Sequence, residues 1–196
     1  MNLIQQSSYA GATLVLLAGF LTGCGRDVMR ANSEQTPNIS QTAVSAGAMI
    51  ATATIGPTQG NNVRGTVRFV QDGNGVRVIA DITGLTPGEH GFHIHENADC
   101  SAPDASSAGD HFNPTKHAHA GRDAGERHMG DLGNITADAN GRARLDYLDS
   151  KLKLSGEHSI VGRSVVVHAK PDDLRSQPSG DSGARVGCGA IMAKDR

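Results

Sequence analysis

Apolar and polar residues alternate along most of the chain from about residue 47 onward. Over residues 63–69 the odd positions are apolar or glycine, and the even positions are arginine or threonine. A period of two places one face of a strand on a core and the other face in water. The sequence Asp-Gly-Asn-Gly at 72–75 follows, and the alternation then resumes over 76–82. These two runs predict a β-hairpin.

Further runs of the same kind extend the pattern to about eight short strands. They lie at 48–55, 89–95, 131–137, 141–148, 160–168 and 184–192. Regular short strands separated by turn residues predict an all-β fold, an antiparallel sandwich or flattened barrel. The segment 96–130 is far longer than a hairpin needs, and long loops inside a compact domain are usually functional.

The N-terminal residues predict export. Residues 10–21 form an apolar run that is too short to cross a bilayer of about 30 Å as a helix, but is typical of a signal peptide. The next residues, Leu-Thr-Gly-Cys ending at Cys24, resemble the lipobox of bacterial lipoproteins, in which the cysteine is lipidated. We therefore expect 1–23 to be a signal peptide with a lipobox.

The lipobox interpretation has an alternative. Basic residues usually precede the apolar run, and here the first basic residue is Arg26, so an ordinary cleaved signal with an incidental Cys24 stays open. The small and polar residues of 24–46 predict a flexible tether. Residues 47–196 remain as one domain, large enough to bury a core.

Composition narrows the classes of function. Hydrophobic residues make up 37% of the chain and the formal net charge is −2, so no basic footprint indicates a nucleic-acid partner. Of the three cysteines, Cys24 belongs to the leader, which leaves Cys100 and Cys188 as an even pair inside the domain. An exported protein would oxidise this pair to a disulfide, and two unpaired buried thiols are the alternative.

Candidate chemistry begins in the sequence Gly-Phe-His-Ile-His-Glu at 91–96. In an extended strand, His93 and His95 project from the same face while Ile94 points into the core. This pair alone is a weak signal for a metal site. The chain has nine histidines, however, and most of the others lie in 111–128 and at residue 168.

The long loop 96–130, the residue that follows it and the predicted strand 160–168 contain the remaining candidate metal ligands. Three imidazoles and a carboxylate suit a closed tetrahedral zinc site, and the candidates are His111, His119, His128 and Asp131. His168 ends a β-branched run, where it can lie beside His93 and His95, and four imidazoles suit Cu(II). His117 forms His-Ala-His with His119 and competes with it for zinc, although the spacing to the other candidates favours His119.

Five motifs follow one another along the domain: GFHIHE, AGDHFNP, ERHMGDLGNITAD, IVGRSVVVH and ARVGCGAI. In this order and spacing they resemble the copper/zinc superoxide dismutase family over essentially all of residues 47–196. The resemblance implies a Greek-key order for the eight strands, a long metal-binding loop and an electrostatic loop from Lys170 to Arg185. It also implies copper and zinc as cofactors and superoxide as substrate.

The resemblance assigns roles to the residues that match the family's motifs. Copper ligands would be His93, His95, His111 and His168, and zinc ligands would be His111, His119, His128 and Asp131. His111 would bridge the two metals and Arg185 would hold the superoxide anion, which makes these two the catalytic residues. Asp172 would hydrogen-bond ligand histidines of both metals, and His90 would hydrogen-bond the backbone.

The implied activity converts two superoxide anions and two protons to dioxygen and hydrogen peroxide by Cu(II)/Cu(I) cycling. Together with the leader, it predicts an enzyme that protects a bacterial cell envelope from superoxide. A lipid on Cys24 would anchor it to a membrane, facing the periplasm or the outside. The interval from His95 to Cys100 resembles the bacterial branch of the family, and ERHMGDLGNITAD the eukaryotic branch. Because these branches dimerise through different surfaces, a monomer and a homodimer both stay open.

Two other classes of function use the same residues. A periplasmic copper or zinc carrier would need the histidines but would have no use for Arg185. A structural module that has lost its metals would lack some of the ligands, whereas this chain has all of them. The sequence therefore favours the enzyme.

Overall fold

The structure is a computed structural model that describes residues 48–194. The predicted signal peptide, the lipobox cysteine Cys24 and the tether lie outside the described residues. Within residues 48–194, no helix has the length and apolar character needed to cross a membrane.

Eight strands make up the described part of the chain, as the alternation predicted. They are β1 (Ile50–Pro57), β2 (Arg64–Asp72), β3 (Gly75–Thr83), β4 (Gly88–His95), β5 (Asp131–Ala137), β6 (Ala143–Asp149), β7 (Ser164–His168) and β8 (Arg185–Ala193). The helical element described beside them is a short 3-10 helix, Ser106–Ala108, inside the long loop.

The strands close into an antiparallel barrel in the order β1-β2-β3-β6-β5-β4-β7-β8. β3 pairs with β6 rather than with β4, and β4 lies between β5 and β7. This crossing order is the Greek key that the resemblance implies. The predicted all-β, eight-stranded antiparallel fold is confirmed.

The predicted hairpin is present and its alternation corresponds to burial. Val67 and Phe69 are fully buried, whereas Arg64 and Arg68 are exposed. β7 is shorter than its predicted run because the chain turns before it: Arg163 N–H donates to Ile160 O (3.2 Å). Ile160 is nevertheless completely buried in the core, which explains why its apolar character extended the predicted strand.

Strand β4 is buried on both faces. Phe92 and Ile94 point into the barrel core, so His93 and His95 point outward, yet both are 1% exposed or less. His95 contacts Gly109 in the loop 96–130, which connects β4 to β5, and His93 contacts Asp172 in the loop between β7 and β8. The barrel wall thus supplies a rigid base for two histidines, and these loops shield them from water.

Backbone hydrogen bonds attach the loop 96–130 to β4. Phe112 N–H donates to Ile94 O (2.8 Å), Ile94 N–H donates to Gly130 O (2.9 Å), and Gly130 N–H donates to Phe112 O (2.9 Å). A Cβ atom at Gly130 would lie 2.1 Å from Ile94 O, so only glycine permits this approach. An isolated antiparallel bridge between His95 and His111 continues the contact. The loop therefore lies along the last residues of β4, just beyond the start of β5, where it forms an isolated bridge rather than a strand.

A disulfide joins the same loop to the last strand. The sulfur atoms of Cys100 and Cys188 are bonded (2.02 Å), and the two residues are 88 positions apart in the sequence. The predicted pairing is confirmed, and the alternative of two free thiols is wrong. Cys188 lies on β8 three residues after Arg185, so the bond fixes the loop beside the start of this strand.

Candidate metal centre

Four histidines from three parts of the fold form the first cluster. One potential ligand atom from each of His93, His95, His111 and His168 lies within 4.8 Å of the others, and all four residues are buried. His93 and His95 come from β4, His168 ends β7, and His111 is carried by the loop that pairs with β4. The structure brings together the four residues expected to bind copper.

The hydrogen bonds of the imidazoles show which nitrogen faces the cluster. His93 Nε2 donates to Asp172 Oδ2 (2.8 Å), while His93 Nδ1 is buried with no hydrogen-bond partner in the described chain. His95 Nδ1 donates to Gly109 O (2.8 Å) and His168 Nδ1 donates to Gly183 O (3.1 Å). The Nε2 atoms of His95 and His168 are then 3.4 Å apart. Each imidazole is oriented by one nitrogen and offers the other to the cluster, as metal-binding histidines do.

Three histidines and an aspartate form the second cluster. His111, His119, His128 and Asp131 also have potential ligand atoms within 4.8 Å of one another. The Nδ1 atoms of His111, His119 and His128 lie 2.8, 2.9 and 3.2 Å from Asp131 Oδ1. Asp131 Oδ2 accepts from the N–H groups of His128 (2.9 Å) and Ala120 (3.1 Å), which fixes the carboxylate. These are the residues expected to bind zinc.

His111 belongs to both clusters. Its Nδ1 faces Asp131, and its Nε2 is buried without a hydrogen-bond partner among the described residues. The ring centroids of His93 and His111 are 4.1 Å apart. One imidazole therefore presents a different nitrogen to each cluster, which is the arrangement that a ligand bridging two metals requires.

His117, the competitor of His119, lies outside both clusters. Its side chain is 37% exposed, and its Nδ1 is 4.0 Å from Glu126 Oε2. The His119 side chain, in contrast, is completely buried. The spacing argument thus selected the histidine that lies in the cluster.

Asp172 connects the two clusters by hydrogen bonds to one histidine of each. Its Oδ2 accepts from His93 Nε2 (2.8 Å) and its Oδ1 accepts from His119 Nε2 (3.0 Å). A Cβ atom at Gly180 would lie 1.8 Å from Asp172 Oδ1. Gly180, with a φ of +68°, is therefore needed both for its backbone conformation and for the space that the carboxylate occupies.

The remaining two predicted residues lie at the edge of the first cluster. His90 is buried and contacts backbone oxygens, with Nδ1 2.7 Å from His168 O and Nε2 2.9 Å from Thr86 O. Arg185 is partly buried, and its Nη2 donates to Gly109 O (2.6 Å). The same carbonyl accepts from His95 Nδ1, so the guanidinium lies directly beside a ligand of the first cluster.

The pKa values of the buried groups differ between the two clusters. Burial, more than any other effect, lowers the pKa of His93 to about 4 and of His168 to about 3. Burial acts to raise the pKa of Asp131 and of Asp172, but hydrogen bonds from the histidines outweigh it and hold both values well below the ordinary one. Burial likewise acts against protonation of His119, yet its two aspartate partners raise its pKa to about 9. The first cluster therefore offers neutral imidazoles and the second an ionised carboxylate.

The donor sets fit the two metals differently. Four imidazoles without a thiolate suit Cu(II), whereas three imidazoles and one carboxylate are a usual tetrahedral zinc set. The buried nitrogens His93 Nδ1 and His111 Nε2 have no protein partner in residues 48–194, and a buried polar atom needs one. A metal ion would satisfy both nitrogens.

Some residues that no sequence pattern predicted support the clusters without belonging to them. Arg127 is 2% exposed; its Nη2 donates to Asp149 Oδ2 (2.6 Å) and its Nη1 to His128 O (3.0 Å). It thereby ties the main chain of a second-cluster residue to β6. Its position directly before His128 was the available signal, but a charged residue in a loop is usually exposed.

A second arginine supports the other end of the loop. The Arg163 guanidinium carbon lies 4.4 Å from the centroid of the Phe112 ring, and Arg163 Nη1 donates to Glu96 O (2.6 Å). Phe112 follows His111 and Glu96 follows His95, so Arg163 braces the neighbours of two cluster residues. The motif IVGRSVVVH contains this arginine, but no local pattern indicates its partner.

An antiparallel β-barrel with two adjoining histidine-rich clusters that share one imidazole defines a class of two-metal protein. A family model described as copper/zinc superoxide dismutase (SODC) matches residues 63–191, and the chain belongs to this family. It is accordingly an oxidoreductase, and copper and zinc are the metals that the family implies for the two clusters.

Individual relatives agree with this family. The chain is 51% identical over 138 residues to superoxide dismutase [Cu-Zn] 2 of Mesembryanthemum crystallinum, covering 67% of this chain and 88% of that protein. It is 48% identical over 136 residues to superoxide dismutase [Cu-Zn] of Paramecium bursaria Chlorella virus 1, covering 66% and 72% of the two chains. Among solved structures, that of the clock protein EA4 superimposes with a TM-score of 0.68 at 40% identity, covering 75% of this chain and 96% of the other.

Proposed function

We propose that the chain dismutates superoxide and protects a bacterial cell envelope, converting two superoxide anions and two protons to dioxygen and hydrogen peroxide. Family membership and the names of the relatives support the reaction. The observation that carries the proposal is His111, which offers Nε2 to the all-histidine cluster and Nδ1 to the cluster with Asp131. A carrier for a single metal has no need of a shared imidazole.

We assign the first cluster to copper and the second to zinc. The copper ligands are His93, His95, His111 and His168, and the zinc ligands are His111, His119, His128 and Asp131. When bound, copper supplies one-electron redox exchange, and zinc supplies a fixed positive charge without redox chemistry. Asp172 orients one ligand of each metal through its two oxygens.

His111 is the proposed proton carrier. Its Nδ1 is directed at the zinc cluster, and its Nε2 faces the copper cluster with no protein acceptor in the described chain. Whenever Nε2 is not bound to a metal, an imidazole held in this way could take up a proton there and deliver it to reduced oxygen beside the cluster. The substrate needs two protons for each hydrogen peroxide, and a positioned histidine supplies one at the required place.

Arg185 is the proposed binding group for the superoxide anion. Its Nη1 and Nη2 each donate to a backbone carbonyl, Ala105 O (2.7 Å) and Gly109 O (2.6 Å). These two bonds hold the planar guanidinium in one orientation, and its other N–H groups have no hydrogen-bond partner among residues 48–194 and can bind an anion. The charge is permanent near neutral pH, so anion binding does not depend on titration of this group.

The envelope location rests on the N-terminal sequence. A lipidated Cys24 followed by a polar tether would keep the domain at the membrane while the barrel faces the periplasm or the outside. The Cys100–Cys188 disulfide is consistent with an oxidising compartment. Self-association into a homodimer stays a prediction.

The test combines metal analysis with activity. The purified enzyme should contain one copper and one zinc per chain, as the two clusters indicate, and should remove superoxide in a cyanide-sensitive manner. Elemental analysis and an activity gel with and without cyanide measure both. A fully metallated protein that leaves superoxide untouched would instead support a metal carrier.

A further inference from the structure

The β7–β8 loop holds the main chain of a second-cluster histidine through an amide side chain. Gln177 Oε1 accepts from His119 N–H (2.8 Å), and Gln177 Nε2 donates to His119 O (2.8 Å). The same Nε2 also donates to Arg175 O (3.0 Å), within its own loop. One side chain thus engages both backbone polar groups of a single residue, 58 positions earlier in the sequence.

A second amide side chain, that of Asn134, bonds in the same way to both backbone polar groups of Asp172. Asn134 Nδ2 donates to Asp172 O (2.8 Å), and Asp172 N–H donates to Asn134 Oδ1 (2.7 Å). Asp172 in turn accepts from the His119 ring at Nε2 (3.0 Å). His119 is therefore held at two points, with its ring fixed by Asp172 and its main chain fixed by Gln177.

The β7–β8 loop is folded so that its Asp172 and Gln177 can contact the ring and the main chain of His119 at the same time. Asp173 N–H donates to Gly180 O (2.9 Å), and Gly180 N–H donates to Ser176 O (2.7 Å), which closes the segment between them. Leu174 lies against Gly121 on the other loop, since a Cβ atom at Gly121 would be 3.5 Å from the Leu174 Cβ. This segment thus contacts the zinc-cluster loop at His119 and, two residues later, at Gly121.

We propose that Gln177 is a positioning residue for the zinc site: its amide sets the main chain of His119 so that Nδ1 is directed at the cluster. Zinc retention then depends on the β7–β8 loop, which also leads to the proposed anion-binding Arg185. The inference rests on the proposed role of His119 as a zinc ligand. Gln177 itself touches no reacting atom, so its effect should appear in metal affinity and ligand geometry.

The experiment compares two glutamines that make similar contacts. In the mature enzyme, Gln177→Ala should weaken zinc binding by about 10- to 100-fold, the usual cost of losing a group that orients a metal ligand. Gln71 Nε2 also donates to two backbone carbonyls, Gly73 O (3.0 Å) and Gly75 O (2.8 Å), but in the β2–β3 hairpin. Gln71→Ala should therefore bind zinc like the wild type. Zinc release to a chromogenic chelator measures the affinity.

Cobalt(II) in place of zinc reports on ligand geometry independently of activity. Its visible absorption bands should shift in Gln177→Ala and stay unchanged in Gln71→Ala. Gln177→Glu keeps the acceptor for His119 N–H but loses the donor for His119 O, so it should lie between wild type and alanine in zinc affinity. This variant also carries the test if the alanine protein does not fold.

Two results would overturn the inference: wild-type zinc release and cobalt spectrum in the Gln177 variants, or equal zinc loss in Gln71→Ala. Failure of the proposed function itself looks different. In that case the wild type would bind no zinc, or His119→Ala would keep it.

Discussion

At the scale of single residues, the ring nitrogen that hydrogen-bonds to the protein decides which nitrogen of the same histidine is left to face the cluster. His93 donates through Nε2 to Asp172, whereas His95 donates through Nδ1 to a backbone carbonyl. The two side chains leave the same face of β4, yet they offer different nitrogens to the cluster. Their partners lie 79 and 14 residues away, so the sequence indicated which histidines lie in the cluster but not which of their nitrogens face it.

Arg185→Ala should lose about ten-fold or more in activity, a barrier change of about 1.4 kcal/mol. The reason is that the variant lacks the fixed charge beside His95, while both clusters are intact. Pulse radiolysis over a range of ionic strength measures the rate, and the alanine variant should show a weaker salt dependence. Arg185→Lys should recover part of the loss, because it restores the positive charge but not the planar set of N–H donors of a guanidinium.

Arg64→Ala is the matched control for this prediction, because Arg64 is an exposed arginine on β2, on a strand that contributes no residue to either cluster. It should keep wild-type activity.

Arg185→Ala also loses two hydrogen bonds to backbone carbonyls, so its unfolding free energy should fall by about 1 kcal/mol per bond, with copper and zinc content unchanged. Full activity in Arg185→Ala with both metals bound would show that another group holds the anion, and Lys170 would be the first to test.

The histidines at 117 and 119 provide a paired experiment in which only one member faces a cluster. His119→Ala should lose zinc, because it removes a buried ligand and leaves Asp131 with fewer partners. His117→Ala should keep zinc, since its side chain is 37% exposed and lies near Glu126. Elemental analysis of both proteins decides the matter, and zinc loss in His117→Ala alone would reverse the assignment.

At the scale of elements, β4 and the loop 96–130 form one unit. The period-two pattern was sufficient to predict β4, because each residue's face depends only on its own position in the strand. It could not show that Ile94 exchanges backbone hydrogen bonds with Phe112 and Gly130. Those bonds join segments that are distant in sequence, and they hold the loop against the strand that carries His93 and His95.

Gly130→Ala should break this attachment. The new Cβ atom would lie 2.1 Å from Ile94 O, so the backbone must shift and the unfolding free energy should fall by about 1–3 kcal/mol. Urea denaturation of the metal-free chain measures the change, and zinc content should fall with it because His128 is close by. Gly125→Ala, in the same loop but with open space around the new atom, should unfold like the wild type; equal stability of both variants would contradict the role given to the close contact.

At the scale of the whole molecule, closure of the barrel and the disulfide fix where the loops begin and end. β1 pairs with β8 and so closes the sheet, and Cys188 on β8 holds Cys100 in the long loop. The disulfide could be expected from an even cysteine count in a domain that is predicted to be exported. The strand order could not be predicted from the sequence in this way. The paired strands β3 and β6 are separated along the chain by β4, the loop 96–130 and β5.

The leader predicts a consequence for the whole protein. Cys24→Ser should release the enzyme from the membrane or leave its precursor uncleaved, because a serine cannot carry the anchoring lipid. Membrane fractionation and N-terminal analysis of the mature chain measure this. The activity of residues 47–196 should be unaffected, and a soluble wild-type protein whose N-terminus lacks residue 24 would contradict the lipobox.

The sequence by itself determined the strands, the hairpin, the histidines of both clusters, Asp131 of the second cluster, and the resemblance to the family. These depend on residue type and on short spacings, which can be read without knowing what lies opposite. The tertiary structure alone decided which ring nitrogen faces each cluster. It alone showed that Gln177, Arg127, Asn134 and Arg163 bond to the main chain of His119, His128, Asp172 and Glu96, respectively. Those contacts join residues that become neighbours only when the loops close over the barrel, and no local pattern encodes which distant carbonyl or amide will be within hydrogen-bonding distance.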